Sequence, residues 1–269
     1  MSIITISRGT FSGGRDLAEC LAQKLGYPCI SREVIVEAAE RYGASEAALS
    51  LALNHPPSII DRLKSERNRY IAYIRAVLCQ RALEGDFIYH GYAGQHLLAG
   101  VHHLIRVRIV ANLSYRISAA MKELQMSSRQ AEAHIHKVDE ERRKWTRFLY
   151  GVSWEDPMNY DVVLNLEYLS IKGACAIVEH LTELEDFQQN AESRRVLENF
   201  ALRSFVIAAL AHDERTADTE LHVSADNGVV TVEGMAKLPE MVASVNDVVG
   251  KVAGVTKVVN QVVTFGIPA

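Results

Sequence analysis

The chain has 269 residues, 29 Lys and Arg against 33 Asp and Glu for a formal net charge of -4, and is 48% hydrophobic and 23% charged. Such a chain is long enough for more than one globular domain. Its charge excludes a general nucleic-acid binder, which needs a basic face or stripe, and it has no uninterrupted apolar run of about 18 residues to span a membrane.

The N-terminus shows no basic segment followed by an apolar one, so no signal peptide is expected. It leads almost directly into a β-rich run, Ile3-Ile4-Thr5-Ile6. Next comes Gly9-Thr10-Phe11-Ser12-Gly13-Gly14-Arg15-Asp16, and then a helical pattern through Leu17, Ala18, Leu21 and Leu25. Strand, Gly-rich turn and helix form the context of a phosphate-binding loop. Glycines let successive N–H groups face one concavity, and the helix directs the positive end of its dipole there. Arg15 stands where such loops usually carry lysine and offers two parallel hydrogen bonds instead of a point charge. The competing reading is a Gly-rich turn without a ligand. Asp16 stands where a magnesium-binding Ser or Thr is usual, and either meets Mg²⁺ through oxygen or serves as a first-turn acid.

An extended piece is expected at Tyr27–Ile30, then helices from Arg32 to Tyr42 and near Ser45–Leu53, the latter closed by Pro56-Pro57. Apolar spacing predicts a long amphipathic helix over Ser58–Leu83. Strands follow at Asp86–His90 and Leu104–Ala111, helices at Leu113–Leu124 and Ser128–Tyr150, a strand at Tyr160–Leu166 and a helix at Ile171–Leu184. Strands alternating with helices indicate an α/β fold with a parallel sheet covered on both faces. Residues 186–197 are polar and read as a linker, or a solvated helix extension, between a domain at 1–185 and another at 198–269. In the second, Asp226-Asn227-Gly228 between β-branched runs signals a hairpin, Pro239–Val252 a helix and Val255–Phe265 a strand. The order αββαβ makes a small α+β module of about 70 residues.

The cysteines, Cys20, Cys29, Cys79 and Cys175, form no Cys-x-x-Cys pair. Neither a zinc site nor a disulfide framework is indicated, and reduced thiols in a cytoplasmic protein are expected. His102-His103 and His134-x-His136 lack the spacing of a two-ligand zinc site. Tyr70, Tyr73, Trp145 and Phe148 read as packing residues.

Several separated blocks share one likeness: Ile4-Thr5-Ile6-Ser7-Arg8 with Ser12-Gly13-Gly14-Arg15-Asp16, Leu25-Gly26-Tyr27-Pro28 with Ser31-Arg32-Glu33-Val34-Ile35, and Lys137-Val138-Asp139-x-x-Arg142 before Asp156-Pro157-x-x-Tyr160-Asp161. In these, residues 1–185 resemble the cytidylate-kinase-like family of P-loop proteins, whose fold is that of nucleoside monophosphate kinases. Arginine followed by an acidic residue is common in that family's loop. Residues 200–267 look like a BON domain, through Ala208-Ala209-Leu210, Asp226-Asn227-Gly228-Val229-Val230-Thr231-Val232 with Gly234, and Val252-x-Gly254-Val255 with Val258 and Asn260. BON domains are proposed to bind phospholipid or other ligands.

The resemblance implies ATP and Mg²⁺, with Gly9, Ser12, Gly13, Gly14, Arg15 and Asp16 on the donor phosphates. Arg32 would meet the acceptor's phosphate. Arg142, which matches the family's block, and Arg143 and Arg147, four apart on one helical face, would form a closing lid. The competing reading of that helix is a solvated surface on which Glu140 and Glu141 pair with Lys144 and the arginines. Asp139 would orient the acceptor, pair with a lid arginine or stay an exposed charge. At two positions the chain departs from the family: Ser31 stands where aspartate is frequent, and Tyr92 of His90-Gly91-Tyr92-Ala93 replaces a cation, so it can donate a hydrogen bond but not neutralise charge. The expected activity is transfer of the ATP γ-phosphate to a small acceptor, a nucleoside monophosphate such as CMP. The rival is a nucleotide-binding regulatory protein with little turnover, whose C-terminal module binds a lipid, glycan or protein. A third role for that module is homo-oligomer formation through its sheet edge.

Overall fold

The computed structural model describes residues 2–54, 64–91, 93–217 and 219–264. In chain order the first part runs β1 (Ile3–Arg8), α1 (Gly14–Leu25), β2 (Cys29–Ile30), α2 (Glu33–Tyr42), α3 (Glu46–Asn54), α4 (Lys64–Glu84), β3 (Phe87–Tyr89), the short α5 (Gly94–Leu97), β4 (Leu104–Val110), α6 (Leu113–Leu124), α7 (Ser128–Tyr150), β5 (Val162–Asn165) and α8 (Ile171–Glu183). The turn expected at Pro56-Pro57 and the first residues expected of the long helix lie outside the described residues.

The strands form one parallel sheet ordered β2-β3-β1-β4-β5. Period-two alternation along β1 feeds two cores. Ile3 packs with Ile74 and Leu78 of α4, whereas Ile4 and Ile6 pack with Leu17 and Leu21 of α1 and Val178 of α8. Helices therefore cover both faces, and β1 ends between β3 and β4, where the connections leave in opposite directions. Open α/β sheets bind ligands at such a crevice.

The second part comprises α9 (Ala191–His212), β6 (Glu220–Asp226), β7 (Val229–Ala236), α10 (Pro239–Gly250) and β8 (Lys257–Thr264). Asn227 (φ 48°) and Gly228 (φ 83°) turn the chain between β6 and β7, the left-handed pair a two-residue hairpin loop needs. β8 adds parallel to β7. Apolar side chains of the inner face, Val223, Val230 and Val232, meet Val245 and Val249 of α10.

Two features differ from the sequence expectation. Of the residues expected to link the two parts, those from Ala191 onward are helical, because Asn190 and Ser193 form a reciprocal capping box that starts α9 there. The long helix expected to be amphipathic is buried almost all round. Ile71, Ala72, Ile74, Ala76, Val77, Leu78 and Cys79 are all within the core, because α9 lies on the face that periodicity alone assigns to solvent. Leu197, Ala201 and Ala208 of α9 join that core, while Leu202, Val206 and Leu210 of the same helix enter the core of the small sheet. One helix thus serves both halves.

Candidate functional site

The loop from β1 to α1 is pinned at its base. Buried Ser12 donates its hydroxyl proton to the carbonyl of Gly9 (2.9 Å) and approaches that of Ile109 at the end of β4 (3.3 Å). The Ser12 amide closes a turn onto Gly9 (3.2 Å). Gly13, at φ 86°, caps α1 with no side-chain bond, so the first-turn amides have no side chain in their way. That positive φ favours glycine, and a Cβ there would also lie 2.8 Å from Leu166 Cδ1. The loop faces a cavity of about 230 Å³ lined by Arg8, Thr10, Gly14, Arg15, Asp16 and Arg142.

Residues from outside the loop complete the site. Ser127 and Gln130 form the capping box that starts α7, and three turns on, Asp139 and Arg142 reach back to the loop. Asp139 accepts from the amide (3.0 Å) and hydroxyl (2.7 Å) of Thr10 and forms a partly buried ion pair with Arg116 of α6. Arg116 Nε in turn donates to the Thr10 carbonyl (2.7 Å). Arg142 Nη1 donates to the Arg8 carbonyl (3.3 Å) and the Thr10 hydroxyl (3.1 Å). The arginine that pairs with Asp139 is therefore Arg116 of α6 and not one of the lid arginines.

A second cavity of about 680 Å³ opens on the other side of Arg8 and Arg142 and is lined also by Ser31, Arg32, Glu46 and Trp154. Arg32 is exposed and pairs with Glu46 (3.2 Å). The Ser31 amide donates to Glu33 (2.6 Å), and such backbone bonds hold the Glu33 carboxyl below its usual range. Tyr92 lies outside the described residues. A third hollow, of about 480 Å³, shares Tyr115 and Ala119 with the loop cavity and reaches Lys122 and Glu167.

Positive charge converges where the first two cavities meet. Burial, then the neighbouring Arg142 and Arg15, pulls the Arg8 guanidinium down to about 10, while Arg8 Nη1 is also held by the His90 carbonyl. Guanidiniums gathered this way gain most from an anion placed among them. Arg15 is exposed and 3.9 Å from Glu123. The remaining lid candidates point elsewhere. Arg143 pairs with Glu140 and Glu155 (3.0 Å to the latter), and Arg147 is exposed and lines none of these three cavities.

For Mg²⁺, the fitting donor is Asp16, an exposed first-turn carboxylate on the wall of the loop cavity. A hard cation that keeps several of its waters needs few protein oxygens. Among the described residues no group of three or more His, Cys, Asp and Glu is placed to hold a metal ion.

The site also carries a pH signature. Burial, then Arg8 and Arg15, lowers the His90 imidazole to about 4, and burial, then Arg106, lowers His96 to about 4. Both are folded as neutral rings. The unfolded chain, with histidines near the ordinary value of about 6.5, binds protons first as pH falls. Stability is therefore full above about pH 6.5 and is lost progressively down to about pH 4. Thermal melts between pH 7.5 and 4.5 should show a falling Tm, with a shallower slope in His96→Gln. An acid-independent Tm in the native chain would contradict this.

Sequence reasoning quoted Arg8 and Thr10 within its motifs without giving either a role, and missed Arg116 and Trp154. Arg8 had a signal, a cation ending a buried strand directly before the glycine loop. Arg116 had none, since only the fold brings α6 beneath the loop.

Comparison with known proteins agrees with this architecture. The model of the cytidylate kinase-like family matches residues 3–168, and that of the BON domain matches residues 200–264. A solved structure of an uncharacterized protein from Eubacterium ventriosum is similar at 18% identity and a TM-score of 0.55, covering 68% of this chain and 99% of that one. Shikimate kinase from Bacteroides thetaiotaomicron (14% identity, 68% of this chain and 99% of that one, TM-score 0.42) and a gluconokinase from Sinorhizobium meliloti (15%, 68% and 94%, TM-score 0.40) are more distant in shape. No curated protein matches the chain. With a P-loop sheet, a cation-lined loop cavity and a family match over more than half its length, the chain belongs to the cytidylate kinase-like family and carries a BON domain after it.

Proposed function

We propose that the chain transfers the γ-phosphate of ATP to a small acceptor, a nucleoside monophosphate such as CMP, in the cytoplasm. The observation that carries this reading is that the loop cavity and the larger cavity share Arg8 and Arg142. Phosphoryl transfer asks for little covalent chemistry from the protein; it needs donor and acceptor aligned and the charge on the migrating group neutralised.

The first-turn amides of α1, Gly9, Gly13, Gly14 and Arg15 would hold the donor phosphates, and the hollow beside Tyr115 offers room for the donor's base. Arg8 and Arg142 would stand over the group in flight, Arg32 would take the acceptor's anion once released from Glu46, and Asp16 would hold Mg²⁺, which when bound neutralises phosphate charge. Asp139 and Arg116 keep Thr10 and the loop in place. Arg143 and Arg147 would act only if the lid helix turned on closure.

Incubation with Mg·ATP and each nucleoside monophosphate, followed by separation of the products, tests the proposal. A diphosphate product with at least one acceptor is expected. Clear ATP binding with no product from any acceptor would favour the second reading, a nucleotide-binding regulatory protein whose BON domain binds a lipid, glycan or protein. That reading is favoured by α9, which joins the BON sheet to the helix behind the acceptor side.

A further inference from the structure

α1 and α8 lie side by side on one face of the large sheet, and two contacts fix their register. Near the start, a Cβ on Gly13 would lie 3.3 Å from Ile171 Cδ1; near the end, Lys24 pairs with Glu179. The two helices therefore run in the same direction. One turn before Lys24 stands Cys20, and one turn before Glu179 stands Cys175. The register brings these thiols to the same level between the two fixed contacts, and both pack in the one core that α1 and α8 share. They are 155 positions apart in sequence, as the numbers 175 and 20 give, which is why spacing alone shows nothing.

Access to the pair is one-sided. Cys175 is 1% exposed, whereas Cys20 is partly open to solvent. We propose that Cys20 and Cys175 form a reversible oxidation site that takes a peroxide as oxidant and closes a disulfide between α1 and α8.

In the first step the Cys20 sulfur attacks the peroxide: the O–O bond breaks, an S–O bond forms, and hydrogen peroxide leaves a sulfenic acid and one water. In the second, the Cys175 sulfur attacks the Cys20 sulfur. The S–S bond forms, the S–O bond breaks, and hydroxide leaves with the Cys175 proton as a second water. Two thiols lose two electrons in all, and the peroxide is reduced to two waters.

The order of steps follows from the surroundings. Burial, then Cys20, pushes the Cys175 thiol up to about 12, so it is the poorer first nucleophile, with Lys24 and Glu179 flanking the pair. Cys79 lies in the core on the other side of the sheet, and the Cys29 thiol is raised by burial, then by Glu19 and Glu33. The closed bond would tie the helix whose first turn forms the phosphate cavity to the one that follows β5. This inference does not depend on the phosphoryl-transfer reading.

The test treats the full chain with hydrogen peroxide, alkylates remaining thiols under denaturing conditions, and digests it for mass spectrometry. The expected result is a Cys20–Cys175 linked peptide from a monomeric chain, reversed by dithiothreitol, absent in Cys20→Ser and retained in Cys29→Ser. Oxygen added at Cys20 with Cys175 recovered alkylated would overturn the proposal. So would Cys20 linked to Cys29 or to a second chain. Should Cys20→Ser fail to fold, the linked peptide from the native chain decides alone.

Discussion

Replacing Arg142 with alanine is expected to lower kcat/KM for the acceptor found in the nucleoside monophosphate panel by about 10²–10³-fold, the cost of removing a preorganised donor from developing charge. Arg143→Ala and Arg147→Ala should change it only a few-fold. All three cations sit within six residues of one helix, yet the structure gives them different work. Arg142 lines both cavities and touches Arg8 and Thr10, Arg143 is engaged by Glu140 and Glu155, and Arg147 faces away from the cavities. Because Arg142 also holds Thr10, part of the loss would come from a loosened loop, so ATP affinity should be measured by calorimetry beside turnover and the fold checked by its melt. A loss in kcat at unchanged ATP affinity assigns Arg142 to the transition state. A loss no larger than that of Arg147→Ala would remove it from the site.

How far the sequence reaches is visible in this same helix. The pattern from Ser128 to Tyr150 predicts a helix, and the observed α7 has those bounds, while the lid reading comes from the family resemblance and not from the pattern. Helical spacing also puts Arg143 and Arg147 on one face. What spacing does not contain is which face meets the loop, since that depends on the packing of α6 and α7 on each other and against Phe11 of the loop. The Thr10–Asp139–Arg116 contacts that settle the orientation join positions more than a hundred residues apart in three of their four bonds. The loop was legible because strand, glycines and helix are adjacent in sequence and each has a local physical cause. The larger cavity was less legible because it gathers Arg32, Glu46, Arg142 and Trp154 from separate elements. The polarity of residues 186–197 suggested a linker for a related reason: local composition reports solvent contact near the cap, while the apolar residues that make α9 a core helix begin only at Leu197.

A chain ended at Asn190 is expected not to reach a cooperative native state, although it contains every strand of the large sheet. It lacks Leu197, Ala201 and Ala208, each 0% exposed, together with the partly buried Phe200, Phe205 and Ile207 that pack on the same core. It also loses the bond from Arg194 Nη1 to the Leu83 carbonyl (3.1 Å) and the cover over Tyr73, whose hydroxyl reaches the Ala211 carbonyl (3.4 Å). Burial of a large apolar side chain stabilises by about 1.5–3 kcal/mol, so losing several at once rivals the whole stability of a domain, about 5–15 kcal/mol. A chain ended at Asp213 keeps α9 and should retain a cooperative melt, while exposing Leu202, Val206 and Leu210, which the small sheet normally covers. Melting both chains beside the full one, followed by far-ultraviolet circular dichroism, separates the outcomes; an unchanged Tm in the shorter chain would make α9 dispensable to the first core. The consequence reaches the helix beside the larger cavity. Tyr42, at the end of the helix that Arg32 begins, stacks on Tyr73 of α4 at 4.1 Å, and His212 of α9 lies edge-on to both rings. These rings tie α9 to the far end of the helix whose first residues, Arg32 and Ile35, line the larger cavity.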